Sequence, residues 1–200
     1  MKETSAMFIQ TEDTPNPQSM KFLPGQAVLG HGALGIDFPT LEAAAASPLA
    51  AMLFETDGVM GIYLGADFIT VTKAEAVEWM HIKPALLGAI ADFFTAGLPV
   101  LAEGAGAQSS SLATPLEDYE GEDREIVEQI VELIETRVRP AVAADGGDIV
   151  FKHYEPRTGV VFLSMQGACS GCPSSTLTLK NGIENMLKHY VPEVARVEAA

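Results

Sequence analysis

The chain lacks a surplus of positive charge: Lys and Arg number 12 against 27 Asp and Glu, for a formal net charge of -15 at pH 7. The deficit runs along its whole length, with -7 over residues 1–95, -4 over 96–120 and -4 over 121–200. A chain with no basic face cannot gather the phosphate contacts that drive nucleic-acid binding, and an anionic bilayer repels it. Neither nucleic acid nor a membrane is therefore expected as a partner. Long apolar runs are also missing, because charges or glycines interrupt each one well short of the roughly 20 residues that cross a bilayer. The start, Met1-Lys2-Glu3-Thr4, offers neither a signal-peptide apolar region nor the basic, acid-poor leader of an organelle precursor. The expected compartment is a cytoplasm of bacterial type, with the mitochondrial matrix as the place of a processed eukaryotic form. Cysteine is scarce. Two cysteines cannot staple 200 residues, so their separation by two residues points to metal binding or redox chemistry.

What is present is globular. A hydrophobic content of 48% over 200 residues supports one large core or two small ones. Residues 7–11 and 20–23 have the apolar content of short strands, held apart by Thr14-Pro15-Asn16-Pro17, whose prolines fix φ and donate no ladder bonds. Ser47-Pro48 supplies an N-cap and a first-turn proline for a short helix through Phe54, and Asp57-Gly58 turns the chain. Residues 59–64 and 68–73 read as a hairpin around Gly65-Ala66-Asp67, with Ile69 and Val71 alternating with Thr70 and Thr72. Pro84 is expected to open a helix with Leu86, Leu87, Ile90, Phe93 and Phe94 on one face, ended by Gly97.

Residues 96–120 change character, with Gly, Ala and Ser dominant from 103 to 111, then acidic residues, and no base. This is the expected linker, and a flexible chain of that length reaches about 25–30 Å. Beyond it, residues 122–139 repeat Ile and Val at helical spacing with Glu on the other faces, and Pro140 is expected to stop that helix. Asp145-Gly146-Gly147 turns the chain into a second hairpin, residues 148–154 and 159–163, and residues 173–190 form a helix before a last short strand at 194–197. The expected fold class is α+β. Two small domains, residues 1–95 and 121–200, each carry helices on a short β-sheet and are joined by the flexible linker 96–120.

The chemistry concentrates in Gly167-Ala168-Cys169-Ser170-Gly171-Cys172-Pro173-Ser174-Ser175, between an expected strand and an expected helix. Two thiolates at i and i+3 can hold two irons of one cluster or one zinc ion, and glycines let backbone N–H groups approach sulfide. Pro173 stands where a helix starts, so the positive end of that helix is expected to face the sulfurs and favour thiolate. That environment also suits a redox dithiol. Clusters usually take four cysteines and this chain has two, so the simplest completion is a two-fold axis that brings four thiolates together between two chains. A zinc site built the same way satisfies the same count, and neither His153 nor His189 obviously contributes to it.

At this point a family resemblance is carried by specific residues. Arg139-Pro140-Ala141-Val142-Ala143-Ala144-Asp145-Gly146-Gly147-Asp148-Ile149, followed by the cysteine segment, resembles the C-terminal domain of NifU, also called the Nfu domain. Thr14-Pro15-Asn16-Pro17-Gln18-Ser19-Met20-Lys21-Phe22-Leu23-Pro24-Gly25 and Phe68-Ile69-Thr70-Val71-Thr72-Lys73 resemble the N-terminal domain of the Nfu proteins. The resemblance implies an iron–sulfur cluster scaffold or carrier, not an enzyme. Such a protein holds a [4Fe–4S] cluster, with [2Fe–2S] as the other type, between two chains through Cys169 and Cys172. Its implied partners are an upstream cluster-assembly scaffold, apo iron–sulfur clients and a second copy of the chain in the cluster-bound state, with the N-terminal domain helping client recognition.

Blander readings stand beside these. Asp145-Gly146-Gly147-Asp148 is read as a turn in preference to a cluster-side loop, Met165 as packing, and the Glu-rich face of residues 125–135 as solvated. Trp79, with Met80 and His81, is either a client contact or, preferred, a core anchor. The small residues Ser170, Gly171, Ser174 and Ser175 are expected to leave the cysteines uncrowded and near the surface. Rival functions are a thiol–disulfide oxidoreductase using the same pair, and a zinc-stapled interaction module.

Overall fold

The computed structural model describes residues 8–30, 33–102, 118–170 and 173–200, with the side chains of residues 173–176 excepted. The body of the expected linker, residues 103–117, lies outside the described residues, and so do Met7 of the first expected strand and Gly171 and Cys172 of the motif. The chain divides into two compact units, Met1–Ser110 and Ser111–Ala200. Each is α+β. No described helix is long and apolar enough to cross a membrane.

In the first unit, strands β1 (Gln10–Asp13), β2 (Ser19–Leu23), β3 (Ile36–Phe38), β4 (Val59–Leu64) and β5 (Ile69–Lys73) form an antiparallel sheet in the order β1-β2-β5-β4-β3. Strand alternation sends Met20, Phe22, Phe38, Ile62, Leu64, Ile69 and Val71 into one core. Three helices supply the other half of that core: α1 (Leu41–Ala44), α2 (Pro48–Phe54) and α3 (Trp79–Ala96). In α2 the Ser47 hydroxyl accepts from the Ala50 N–H and Pro48 fills the first turn, the local chemistry that the sequence predicts. The β4–β5 hairpin also forms where expected, closed by the Gly65 N–H on the Phe68 carbonyl at 2.9 Å. β3 and α1 were not expected.

Pro84 does not open α3. The helix starts a turn earlier at Trp79 and takes Pro84 into its interior. The proline removes one bond, to the carbonyl of Met80, whose own side chain is 76% exposed, so the loss falls in the exposed first turn. Gly97 ends the helix with φ of 66°, as its position suggests. The chain then stays on this unit: Val100 and Leu101 pack on the core, Ser47 Oγ donates to the Val100 carbonyl at 2.5 Å, and the Ala102 N–H meets the Ala46 carbonyl at 3.0 Å.

The second unit begins with α4 (Gly121–Leu133), passes through one π-helical turn (Ile134–Val138) and continues as α5 (Arg139–Ala144). Pro140 therefore does not stop the helical path. The Arg139 N–H reaches back five residues to the Ile134 carbonyl, and this wider turn carries the chain across the missing donor of Pro140. Strands β6 (Gly147–Glu155) and β7 (Val160–Gly167) pair antiparallel, α6 (Pro173–Tyr190) crosses over, and β8 (Arg196–Ala199) lies parallel to β7. Both hairpin strands outrun the expected bounds, and the last strand falls two residues late. A bulge between Phe151 and His153 lets both Phe151 and Tyr154 join the core with Ile149, Val161 and Leu163. Tyr119, inside the expected linker, is buried here. Its hydroxyl accepts from the Tyr154 N–H at 2.8 Å, donates to the Tyr154 carbonyl at 2.9 Å and lies 2.8 Å from His153 Nδ1. The two ends of the expected linker thus belong to the two units.

Candidate functional site

The cysteine segment sits where β7 hands over to α6. Gly167 ends the strand with φ of 59°, a conformation that side chains resist, and a tight turn follows. The Ala168 N–H bonds the Gly146 carbonyl at 3.2 Å and the Cys169 N–H bonds that of Gln166 at 3.3 Å. The Ser170 N–H and hydroxyl both donate to the Gly167 carbonyl, at 3.1 and 2.8 Å. α6 then starts at Pro173, the residue the sequence predicts. Cys172 lies outside the described residues, so of the two expected ligands the structure places Cys169.

Cys169 is turned inward. It is 6% exposed and belongs to the core of its unit, which corrects the expectation of an uncrowded surface thiol. Its sulfur lies against Gly147: a Cβ there would overlap Cys169 Sγ and stand 2.8 Å from the Gln166 carbonyl and 2.9 Å from the Cys169 nitrogen. Asp145-Gly146-Gly147-Asp148 thus divides its work. Gly146, at φ of 81°, makes the preferred turn, while Gly147 opens a socket for the sulfur. Burial pushes the thiol up to about 12, and the carboxylates of Asp145 and Asp148 add to the shift. The expected lowering by the positive end of α6 is therefore overturned for Cys169, since a helix terminus does not outweigh desolvation together with two nearby anions.

Asp148 is itself held. It is 4% exposed, and Arg139 grips it through both oxygens, Nε to Oδ1 at 2.8 Å and Nη2 to Oδ2 at 2.7 Å, while the Ile149 N–H also meets Oδ1. Arg139 reaches Glu135 at 2.7 Å as well, and its own pKa rises chiefly through the Asp148 bond. Because Asp148 neighbours Gly147, this clamp fixes the wall of the socket. Sequence reasoning missed Arg139, Gly147 and Tyr119 as placed residues, although the first two lie within the stretch that carried the resemblance. Near the turn, Gln166 Oε1 is a buried acceptor with no hydrogen-bond partner among the described residues.

The remaining sequence candidates are accounted for by packing. His153 is held by Tyr119, His189 makes an edge contact with Tyr190 at 4.9 Å, and Met165 packs on the core. Trp79 packs on the first core, with its indole N–H on the Pro17 carbonyl at 3.1 Å, as the anchor reading has it, and Met80 beside it is exposed. Among the described residues no three His, Cys, Asp or Glu side chains group as a metal site. The donors that fit a cluster as cargo are soft thiols in a glycine-lined turn, and one chain has too few of them.

Comparison with known proteins follows the same division. Residues 9–97 match the family model "Scaffold protein Nfu/NifU N terminal", and residues 130–198 match "NifU-like domain". The chain is similar to the Drosophila sechellia protein named "NFU1 iron-sulfur cluster scaffold homolog, mitochondrial", at 55% identity over 193 residues, covering 96% of this chain and 65% of that protein. A protein of the same name from Drosophila willistoni is 55% identical over 192 residues, covering 96% and 63%. The chain thus spans just under two thirds of the length of these relatives. A solution NMR structure of a NifU-like protein from Saccharomyces cerevisiae covers 52% of this chain and 91% of its own, at 28% identity and a TM-score of 0.47.

Proposed function

The chain belongs to the Nfu/NifU scaffold family, and from that membership we propose that it carries an iron–sulfur cluster as cargo, holding it between two copies through Cys169 and Cys172 and passing it to apo-proteins. The observation that carries this reading is the site of Cys169: a thiol on a short glycine turn between strand and helix, packed on a residue without a side chain. Four thiolates from two chains complete a [4Fe–4S] set, and a [2Fe–2S] cluster takes the same number. Cys169 must leave the Gly147 socket and lose its proton to reach the cargo. Iron drives the proton loss, because a coordinating thiol is deprotonated outright.

The buried thiol weighs against the redox rival. Attack on a disulfide needs an accessible thiolate, and a thiol pushed up to about 12 inside a core offers almost none at neutral pH. In this proposal the first unit recognises clients or the upstream scaffold, the middle of the expected linker 96–120 serves as the tether while its two ends are packed on the units they join, and the protein is a carrier rather than a catalyst. Of the two compartments expected from the sequence, the relatives' names, which read mitochondrial, favour the organelle over the bacterial-type cytoplasm.

The test is anaerobic reconstitution with iron and sulfide, followed by iron, sulfide and protein counts on the dimer fraction. About four irons and four sulfides per two chains, lost in Cys169→Ala and Cys172→Ala, is the expected result. A wild-type protein that binds no iron yet turns over a disulfide refutes the carrier reading.

A further inference from the structure

The end of the first unit's sheet where β1 and β5 finish and β2 and β4 begin gathers three loops, residues 14–18, 55–58 and 74–78. Bonds between them lock this end. The Lys73 N–H meets the Gln18 carbonyl and the Ala74 N–H the Gly58 carbonyl, each at 2.8 Å, and the Trp79 indole N–H reaches the Pro17 carbonyl at 3.1 Å. Asn16 turns the first loop, its Oδ1 accepting from the Gln18 N–H at 3.0 Å. A surface held this way loses little conformational freedom when a partner settles on it.

Apolar and acidic groups are exposed here together. Met80, in the first turn of α3, is 76% exposed, Met60, in the bulge that opens β4, is 58% exposed, and Pro15 and Pro17 are exposed as well. Methionine is flexible and polarisable, a side chain over-used on binding surfaces. The same end carries the exposed carboxylates of Asp13, Glu55, Asp57, Glu75 and Glu78, drawn from three separate parts of the sequence. Bases do not match them. Lys73 is 7% exposed, its ammonium turned onto the Ala74 carbonyl at 3.4 Å and lying 5.8 Å from the Trp79 ring, and Lys83 is half-buried on α3 beyond the exposed His81.

The concentration is local. Among the described residues, the opposite end of the sheet, 23–30, 33–35 and 65–68, carries Asp67 as its one acid. The Glu-rich face of residues 122–135 is acidic too, but Arg124 pairs with Glu128 at 3.0 Å and Arg139 with Glu135 at 2.7 Å, and no large apolar side chain is exposed on α4. Charge then selects the occupant. A nucleic acid, an anionic membrane or a second copy of this chain, at net -15, brings its own negative charge to the contact.

We propose that this end of the first unit docks a basic amphipathic segment of a partner protein, its apolar side on Met80 and its cations on the carboxylates of the three loops; the proposal rests on the recognition role read above for the first unit. An apolar centre with a charged surround is the usual anatomy of a protein–protein contact, and opposite charge speeds the encounter.

The experiment titrates reduced, metal-free, full-length protein with a synthetic amphipathic helix of lysine and leucine, and with the same peptide carrying glutamate for lysine. Trp79, the single tryptophan, reports binding by its fluorescence. The lysine peptide is expected to bind and the glutamate peptide not. Asp57→Asn with Glu75→Gln should raise Kd at least about tenfold at low salt. Asp67→Asn with Asp92→Asn should raise it less than about twofold, because the same charge is removed from the opposite end of the sheet and from a point about 20 Å along α3. Met80→Ser should weaken binding at least about fivefold and leave its salt dependence unchanged, since the lost contact is uncharged. All five positions are exposed, and circular dichroism checks that each variant is folded. Equal weakening by the two double variants overturns the proposal in favour of net charge alone, and full affinity in Met80→Ser overturns it in favour of a purely ionic contact. A wild type that does not bind the lysine peptide refutes the docking surface. If Asp57→Asn with Glu75→Gln binds the peptide poorly yet, once loaded, passes its cluster to apo-clients at the wild-type rate, the recognition role is what fails.

Discussion

The inward thiol gives a quantitative prediction about the metal-free protein. At pH 7 a thiol at its ordinary value of 9.0 is about 1% thiolate, and one pushed up to about 12 is about 0.001% thiolate, a drop of about a thousandfold. The thiolate that remains is intrinsically more nucleophilic: a Brønsted slope of about 0.4–0.5 over three units returns a factor of about 15–30. Cys169 should therefore alkylate about 30–60-fold more slowly than an ordinary thiol, before its 6% exposure slows it further. The assay is iodoacetamide labelling of reduced, metal-free Cys172→Ser protein, with glutathione in the same tube and labelling read by mass spectrometry. The rate should climb about tenfold per pH unit from 7 to 10, with no plateau near 9. Labelling within about threefold of glutathione at pH 7 would refute the buried, protonated thiol and restore the case for a redox dithiol.

Other expected outcomes follow from the same unit, and Trp79, the single tryptophan, reports the first unit as an internal control in each. Gly147→Ala should lower the stability of the second unit by about 1–3 kcal/mol and speed Cys169 labelling, because the new methyl takes the sulfur's place; labelling unchanged would show that the socket does not hold the thiol. Arg139→Gln leaves the buried Asp148 carboxylate without its counter-charge, for a loss of about 3 kcal/mol read as a shift of the urea midpoint by tyrosine near-ultraviolet dichroism. The Lys188 bond, with the Val197 N–H, holds Glu184 below the usual carboxylate range. A depressed folded value stabilises the protein above the ordinary glutamate pKa, and that contribution fades as pH falls through the folded value. Glu184→Gln should thus be less stable than wild type at pH 7, with the difference vanishing in acid. Cys169 has the opposite sign: its raised folded value contributes fully below pH 9 and is lost as pH rises toward 12, so Cys169→Ala should flatten the alkaline loss of stability.

The sequence was legible where structure is decided by neighbours. Ser47-Pro48 starts α2 because a cap and a first-turn proline act within four residues, and Pro173 to Tyr190 was bounded correctly for the same kind of reason. The two misread prolines share a cause: a proline breaks one bond, and Pro84 and Pro140 sit where an exposed first turn or a π turn absorbs the loss. β3 was invisible because three residues hold no period, and its existence depends on β4 beside it. The cysteine motif could be read from spacing alone, but the state of its first thiol could not. Gly147 resembles an ordinary turn glycine until Cys169, at the far end of the next strand, is folded against it.

The socket at Gly147 also sets the energetics of letting go. On the proposed carrier function, an empty protein with dangling ligands would gain nothing by unloading, whereas a departing cargo would leave a sulfur that returns to its niche. Re-burying that side chain is worth about 1 kcal/mol from apolar area, and an exposed thiolate at its ordinary value of 9.0 gains about 2.7 kcal/mol more by taking a proton at pH 7. The glycine therefore works as a thermodynamic spring. Tightening the niche favours release and loosening it favours retention, so carrying strength can be tuned without touching either ligand.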